Sequence, residues 1–230
     1  MCRFLLASLN IEAILGGITI GQRRKILQEM ARGSGLGDAY TATLTRLKAQ
    51  KGNRAELGKK ALMWVLYSDI PLRAEELRHA LGVEIGTAEL NPENIPALRT
   101  LLASCLGLLT VEESSSTVRL VHFTLQEHLS SDPALSHSSH AIIAEVCLTY
   151  LHFGSVRKLP PTLDSAPSTM PLLEYASIHW AWHAKRGMTE KVKLLALRFL
   201  PIQREHISAR LLELSFRRGR GYSTYFNGRG

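Results

Sequence analysis

The sequence is short of cysteine. Cys2, Cys105 and Cys147 are its only three, widely spaced and without a CxxC pair. That excludes a zinc ribbon and a CxxC redox centre, and an odd, unframed set of thiols is no disulfide scaffold. No run of 18 apolar residues occurs, so no membrane-spanning helix is expected. The opening stretch MCRFLLASLNIEAILGG carries one basic residue, Arg3, and Asn10 and Glu12 interrupt its apolar run. Without a cleavage motif it is not a secretory signal. GxSxG and HExxH are both missing, which removes a nucleophile elbow and a zincin helix. Free thiols and no leader point to a soluble, cytoplasmic protein. The start inside an apolar helical pattern, with no cap before it, points to further chain upstream.

What is present is a globular composition. Hydrophobic residues make up 45% of 230 and charged ones 21%, and mean hydropathy is close to zero. A chain of this length buries about 70% of its unfolded surface without a staple. The net charge of +8 is unevenly spread: Arg204, Arg210, Arg217, Arg218, Arg220 and Arg229 against Glu205 and Glu213 account for +4. Half of the excess thus sits in the last 27 residues, which reads as a solvated tail rather than a nucleic-acid surface.

Apolar spacing predicts helices over about 3–15, 22–32 and 39–50, the last capped by Asp38 after GSGLG (33–37). KGNRAELGKK reads as a polar connector. Helices are then expected over 57–67 (ALMWVLY), 72–81 (AEELRHAL) and 94–105, the last opened by Pro92 and Glu93. GLLTVEE and TVRLVHF alternate like strands across a serine turn, and TLQEHL starts another helix. Three helices followed by a hairpin is the layout of a winged helix, placed at 57–131. SDPALSHSS is a linker, followed by expected helices at 139–153, 171–186, 189–199 and 202–216, with a proline-rich loop at 156–171. The fold class is therefore mainly α: a helical segment (1–52), a winged-helix domain (57–131), a C-terminal helical bundle (139–216) and a flexible basic tail (217–230).

The candidate chemistry is sparse. GGITIGQ has the spacing of a phosphate loop at Gly16 and Gly21 but Gln22 in place of its lysine. GNRAELGKK has the lysine, but the wrong separation of Gly52 and Gly58, and Lys60 where Ser or Thr would hold magnesium. His179 and His183 stand at i, i+4, a spacing that suits zinc. Trp180 replaces the glutamate of a metalloprotease, however, and packing beside Trp180 and Trp182 is the simpler role. His137 and His140 lie in a polar linker and are given no role. A DNA-reading third helix would carry polar residues toward base edges. Here Asn94, Arg99 and Thr100 are set among leucines, and the hairpin tip EESSS is acidic. No catalytic and no metal-binding residue is expected.

The runs GLGDAYTATLTRLKAQKG, ALMWVLYSDIPLRAEELRHALGVEIG, LLASCLGLLTVEESSSTVRLVHFTLQEHL and PLLEYASIHWAWHA resemble the region following the NACHT nucleotide-binding core in fungal STAND-type NTPases. These are NOD-like-receptor-like proteins that often carry ankyrin repeats. The winged-helix part resembles the GPI inositol-deacylase winged-helix domain, a label that implies no lipase activity. The first 52 residues resemble the end of a NACHT module. The resemblance implies a non-catalytic regulatory module whose winged helix closes over bound ADP. The residue implied to approach the β-phosphate is the histidine after the second wing strand, here His122. Gln126 and Glu127 are read as bracing that junction, and His128 as a helix-face residue. The Walker segments are not among these 230 residues, so no cofactor is expected for the chain itself, and ADP or ATP only together with an upstream NACHT core. The implied partners are proteins, a NACHT core and a repeat domain in cis or trans. A plain helical adaptor, with His122 merely structural, is the alternative; a winged-helix DNA-binding protein ranks below both.

Overall fold

The computed structural model describes residues 11, 14, 18–31, 36–130 and 138–219. Among the described residues the protein is mainly α-helical with one two-stranded sheet. Its contacts divide it into two compact units, Met1–Leu66 with Ala97–Ser136, and Tyr67–Pro96 with His137–Gly230.

In the first unit, α1 (Ile20–Ala31), α2 (Leu36–Lys48) and α3 (Arg54–Tyr67) precede α5 (Leu98–Ser104), the hairpin β1 (Leu109–Glu112) and β2 (Thr117–Leu120), and α6 (Phe123–Ser130). The helix expected over 3–15 falls almost wholly outside the described residues. Asp38 is not the cap of α2. The helix begins two residues earlier, leaving Asp38 in the first turn, where a carboxylate still favours the positive end of the helix dipole. The expected connector also differs, because Arg54 to Lys60 are already helical. Gly58 makes that early start useful. A Cβ on it would lie 2.6 Å from the Ser104 carbonyl and 3.2 Å from the Leu47 side chain, so the missing side chain lets α3 approach both. Gln50 Nε2 donates to the same Ser104 carbonyl at 2.7 Å, closing the end of α5.

The third winged-helix helix is shorter than its leucine pattern suggests. Pro92–Asn94 is a single 3₁₀ turn, with the Asn91 side chain accepting from Glu93 N, and α5 starts only at Leu98. Pro96 accounts for the break, since it disfavours helical backbone at the preceding residue. Ile95 is accordingly extended, at φ −75° and ψ 113°. In the hairpin Leu109 pairs with Leu120 and Val111 with Val118, and Leu109 and Val118 point into the core with Leu101, Cys105, Leu108, Leu125 and Leu129. The second strand stops at Leu120, so His122 and Phe123 are not strand residues: Phe123 opens α6.

The second unit is built from α4 (Ala74–Gly82), α7 (Ser139–His152), α8 (Gly154–Arg157), α9 (Leu172–Arg186), α10 (Glu190–Phe199) and α11 (Ile207–Arg217). α4 starts at Ala74 rather than Leu72, because Glu76 reaches back to accept from Arg73 N and Arg73 Nε, both at 2.8 Å, the glutamate half of a capping box. α7 and α9 form the centre, with α10 on α7 and both α4 and α11 on α9. Ile143, Cys147, Leu148, Leu151, Leu173, Ala176 and Phe199 are buried among them. The proline-rich loop is pinned by Asp164, which accepts from Arg210 at 2.7 and 3.0 Å. The last helix was expected from 202; instead a 3₁₀ turn (Gln203–Glu205) and a histidine cap delay it to Ile207. Arg217, expected in the tail, closes α11, and beyond Gly219 the rest of that tail lies outside the described residues.

Candidate functional site

His122 sits between β2 and α6, half-buried. Its Nδ1 accepts from Thr124 N at 3.3 Å and lies 2.9 Å from Thr124 Oγ1. An acceptor Nδ1 has no proton, so the neutral ring carries its hydrogen on Nε2. Thr124 Oγ1 is also 2.9 Å from the hydroxyl of Tyr40, a buried residue of α2. The chain Tyr40 O–H to Thr124 O–H to His122 Nδ1 therefore sets both tautomer and ring orientation. The ring of Phe123 lies against the imidazole, centroids 4.4 Å apart, and is 66% exposed. His128 packs on Tyr40, with centroids 5.6 Å apart, and its Nε2 is 3.4 Å from Thr41 Oγ1. Gln126 and Glu127 are exposed, so the junction is braced by Thr124 and Tyr40 instead.

Residues 44–143 match the family described as GPI inositol-deacylase, winged helix domain. That match takes in α3 to α6 and the hairpin. No curated protein and no solved structure matches the chain. The protein thus contains a winged-helix domain similar to that of GPI inositol-deacylase, with His122 at the exit of its second strand. Among the described residues, no helix is long and apolar enough to cross a membrane.

The winged-helix domain has a polar hairpin tip closed on itself. Arg119 pairs with Glu112 at 3.0 Å, and Glu112 also accepts from Ser115 and Thr117. These hydrogen bonds hold the Glu112 carboxyl below the usual range, that from Ser115 first. Of the two glycine runs, Gly21 lies inside α1, and Gly58 is the close-approach glycine of α3.

His206 repeats the cap made by His122. Its Nδ1 accepts from Ser208 N at 3.1 Å, and its Nε2 donates to the Leu151 carbonyl at 3.1 Å. Both sites share an H-x-[ST] spacing, but their outward nitrogens differ. His206 Nε2 is satisfied within the protein, whereas no group among the described residues meets His122 Nε2.

The i, i+4 pair on α9 is employed elsewhere. His179 Nδ1 donates to Asp69 Oδ2 at 3.0 Å. His183 is fully buried, with Nε2 2.8 Å from Tyr175 Oη and Nδ1 2.9 Å from His140 Nδ1. Both His183 nitrogens are taken, and no group of three or more metal-type side chains comes together among the described residues. His140, expected in a linker without a role, is a member of α7 and a partner of His183. Trp180 packs edge-on to Phe199, and Trp182 lies under Arg186, whose guanidinium carbon is 3.7 Å from the ring centroid.

Proposed function

We propose that the chain is a non-catalytic regulatory module of a STAND (NACHT) NTPase of the NOD-like-receptor type, its winged helix serving as a lid over a nucleotide-binding core carried outside these 230 residues. The observation that supports this reading is the locked tautomer of His122. Thr124 holds Nδ1 as an acceptor, which aims Nε2–H away from the protein at the start of α6. A directed N–H donor near the positive end of a helix suits a phosphate oxygen. The match of residues 44–143 to a winged-helix family agrees with it. Neither glycine run is a complete phosphate loop, so nucleotide binding belongs to the core and the lid adds one contact. On this reading the chain works in the cytoplasm, meets proteins rather than nucleic acid, and turns nothing over alone.

A hydrogen bond to a charged group contributes about 1.5–3 kcal/mol. In a chain joined to its NACHT core, His122→Ala is therefore expected to speed ADP release roughly ten- to a hundredfold, measured with a fluorescent ADP analogue. Unchanged release overturns the lid reading, as does micromolar ADP binding by the 230-residue chain alone that is lost in His122→Ala.

A helical adaptor is the second reading, favoured by one observation. Leu194, Leu197 and Leu200, along α10 and its end, are each about half exposed. Such a row on a helix already packed by Val192, Ala196 and Phe199 is more apolar surface than a freestanding helix needs.

A further inference from the structure

We propose that Tyr175, His183 and His140 form a reversible hydrogen-bond wire that latches the first turn of α7 to α9 and is released by acid. The direction of the wire at neutral pH follows from its donors. Tyr175 Oη accepts from Asp69 N at 3.3 Å and is hydrogen-bonded to Ser68. Imidazole nitrogen is a better acceptor than a phenol oxygen, so the Tyr175 proton points at His183 Nε2. His183 then carries its hydrogen on Nδ1 and donates it to His140 Nδ1 across 2.9 Å, which leaves His140 with its own hydrogen on Nε2.

One added proton reverses the two bonds that join Tyr175, His183 and His140, while the Asp69 N–H still donates to Tyr175. The hydrogen between the two imidazoles moves from His183 to His140, the Tyr175 hydrogen moves to His183 Nε2, and a proton entering from the Ser68 side restores the phenol. One proton enters, none leaves, and His140 becomes the cation. Among the described residues His140 has no carboxylate partner. The groups along the wire are Tyr67 at the end of α3 beside His140, Asp69 in the following loop and Cys147 on α7 beside Tyr175, and His179 and Arg186 on α9 beside His183. Asp69 is taken by His179, and Arg186 repels a second cation. Burial first, and Arg186 second, already hold the His140 pKa below its ordinary value.

The first turn of α7 depends on this contact. Ser138 stands at the N-cap but makes no side-chain cap bond. Contacts with neighbouring residues hold the turn instead: His140 to His183, the His140 ring edge-on to Tyr67 and Trp182 at 5.5 and 5.2 Å, and Gly187 so near that a Cβ would fall 2.3 Å from Ala141 N. A charged His140 regains hydration by swinging out, and the turn loosens with it.

Amide exchange of the full chain, corrected for intrinsic rate, tests the latch. Between pH 7.5 and pH 5.5 protection over residues 139–144 is expected to fall about tenfold, the effect of roughly one pKa unit. In His140→Gln, which cannot charge, the extra fall over residues 139–144, beyond that of the rest of α7, is expected to disappear. An equal excess over residues 139–144 in both chains overturns the proposal. Imidazole ¹⁵N shifts of the unsubstituted chain give an independent reading should His140→Gln not fold. His183 is expected to switch from the Nδ1–H to the Nε2–H tautomer as His140 charges, and a His183 tautomer that does not change overturns the wire.

Discussion

Tyr40 Oη and Thr124 Oγ1, 84 residues apart in sequence, meet at 2.9 Å. The bond ties α2 to the cap that orients His122, so the candidate site draws on residues well before the hairpin. Tyr40→Phe keeps the ring in its place and removes the hydroxyl. Stability is expected to fall by about 0.5–1.5 kcal/mol, the net contribution of one neutral hydrogen bond, read from the midpoint of urea unfolding. A loss above about 3 kcal/mol would mean that ring packing had been disturbed as well.

Gly58→Ala sets two effects against each other. Alanine gains about 1 kcal/mol of helix propensity over glycine in a helix interior. Its Cβ, however, would stand 2.6 Å from the backbone carbonyl of Ser104, and forcing atoms into packed space costs about 1–3 kcal/mol. The clash is with backbone and cannot rotate away, so a net loss of stability is expected in chemical denaturation. A more stable variant would show that α3 does not approach Ser104 this closely.

Acid should unfold the second unit's core through its histidines. Burial is the first cause holding His79, His140, His183 and His206 below their ordinary pKa, and for His183 the value is held down to about 2. The unfolded chain thus binds more protons than the folded one below about pH 6.5. Stability is full above that pH and is lost progressively as pH falls toward the folded values. A histidine kept neutral throughout contributes about 2 kcal/mol of this loss by pH 5. Thermal midpoints from pH 8 to 5 check it, and His183→Phe is expected to flatten the curve if the variant folds.

Cysteine chemistry offers a simple probe. Cys105 and Cys147 are buried, and desolvation raises both thiols, that of Cys105 to about 12. In a Cys2→Ser chain, disulfide-exchange labelling at pH 8 is expected to be slow until denaturant is added, since the thiolate is the reactive form. Rapid labelling of the native chain would contradict this burial.

Much of this was legible in the residues. Alternation in LLTVEE and TVRLVHF announces a hairpin, and the apolar runs of 139–153 and 171–186 announce the two central helices. Element ends were less legible, because local chemistry decides them. Pro96 cuts α5 short, the Glu76 box delays α4, and a histidine cap delays α11. The H-x-[ST] spacing at His122 and His206 was a usable signal for such caps. The His140 and His183 partnership was not visible, since it joins positions 43 residues apart and His140 stands in a serine-rich stretch that looks like a linker. Asp69 and Tyr175 were hidden for the same reason: their roles are tertiary.

The route of the backbone has a practical consequence. Residues Tyr67–Pro96 belong with His137–Gly230, although they interrupt the stretch that forms the first unit. A single cut between 131 and 137, the obvious place to divide this polypeptide, would strip α4 from its place on α9 and separate Asp69 from His179. Neither piece would be whole; dissecting this molecule needs a circular permutation or a graft rather than a truncation.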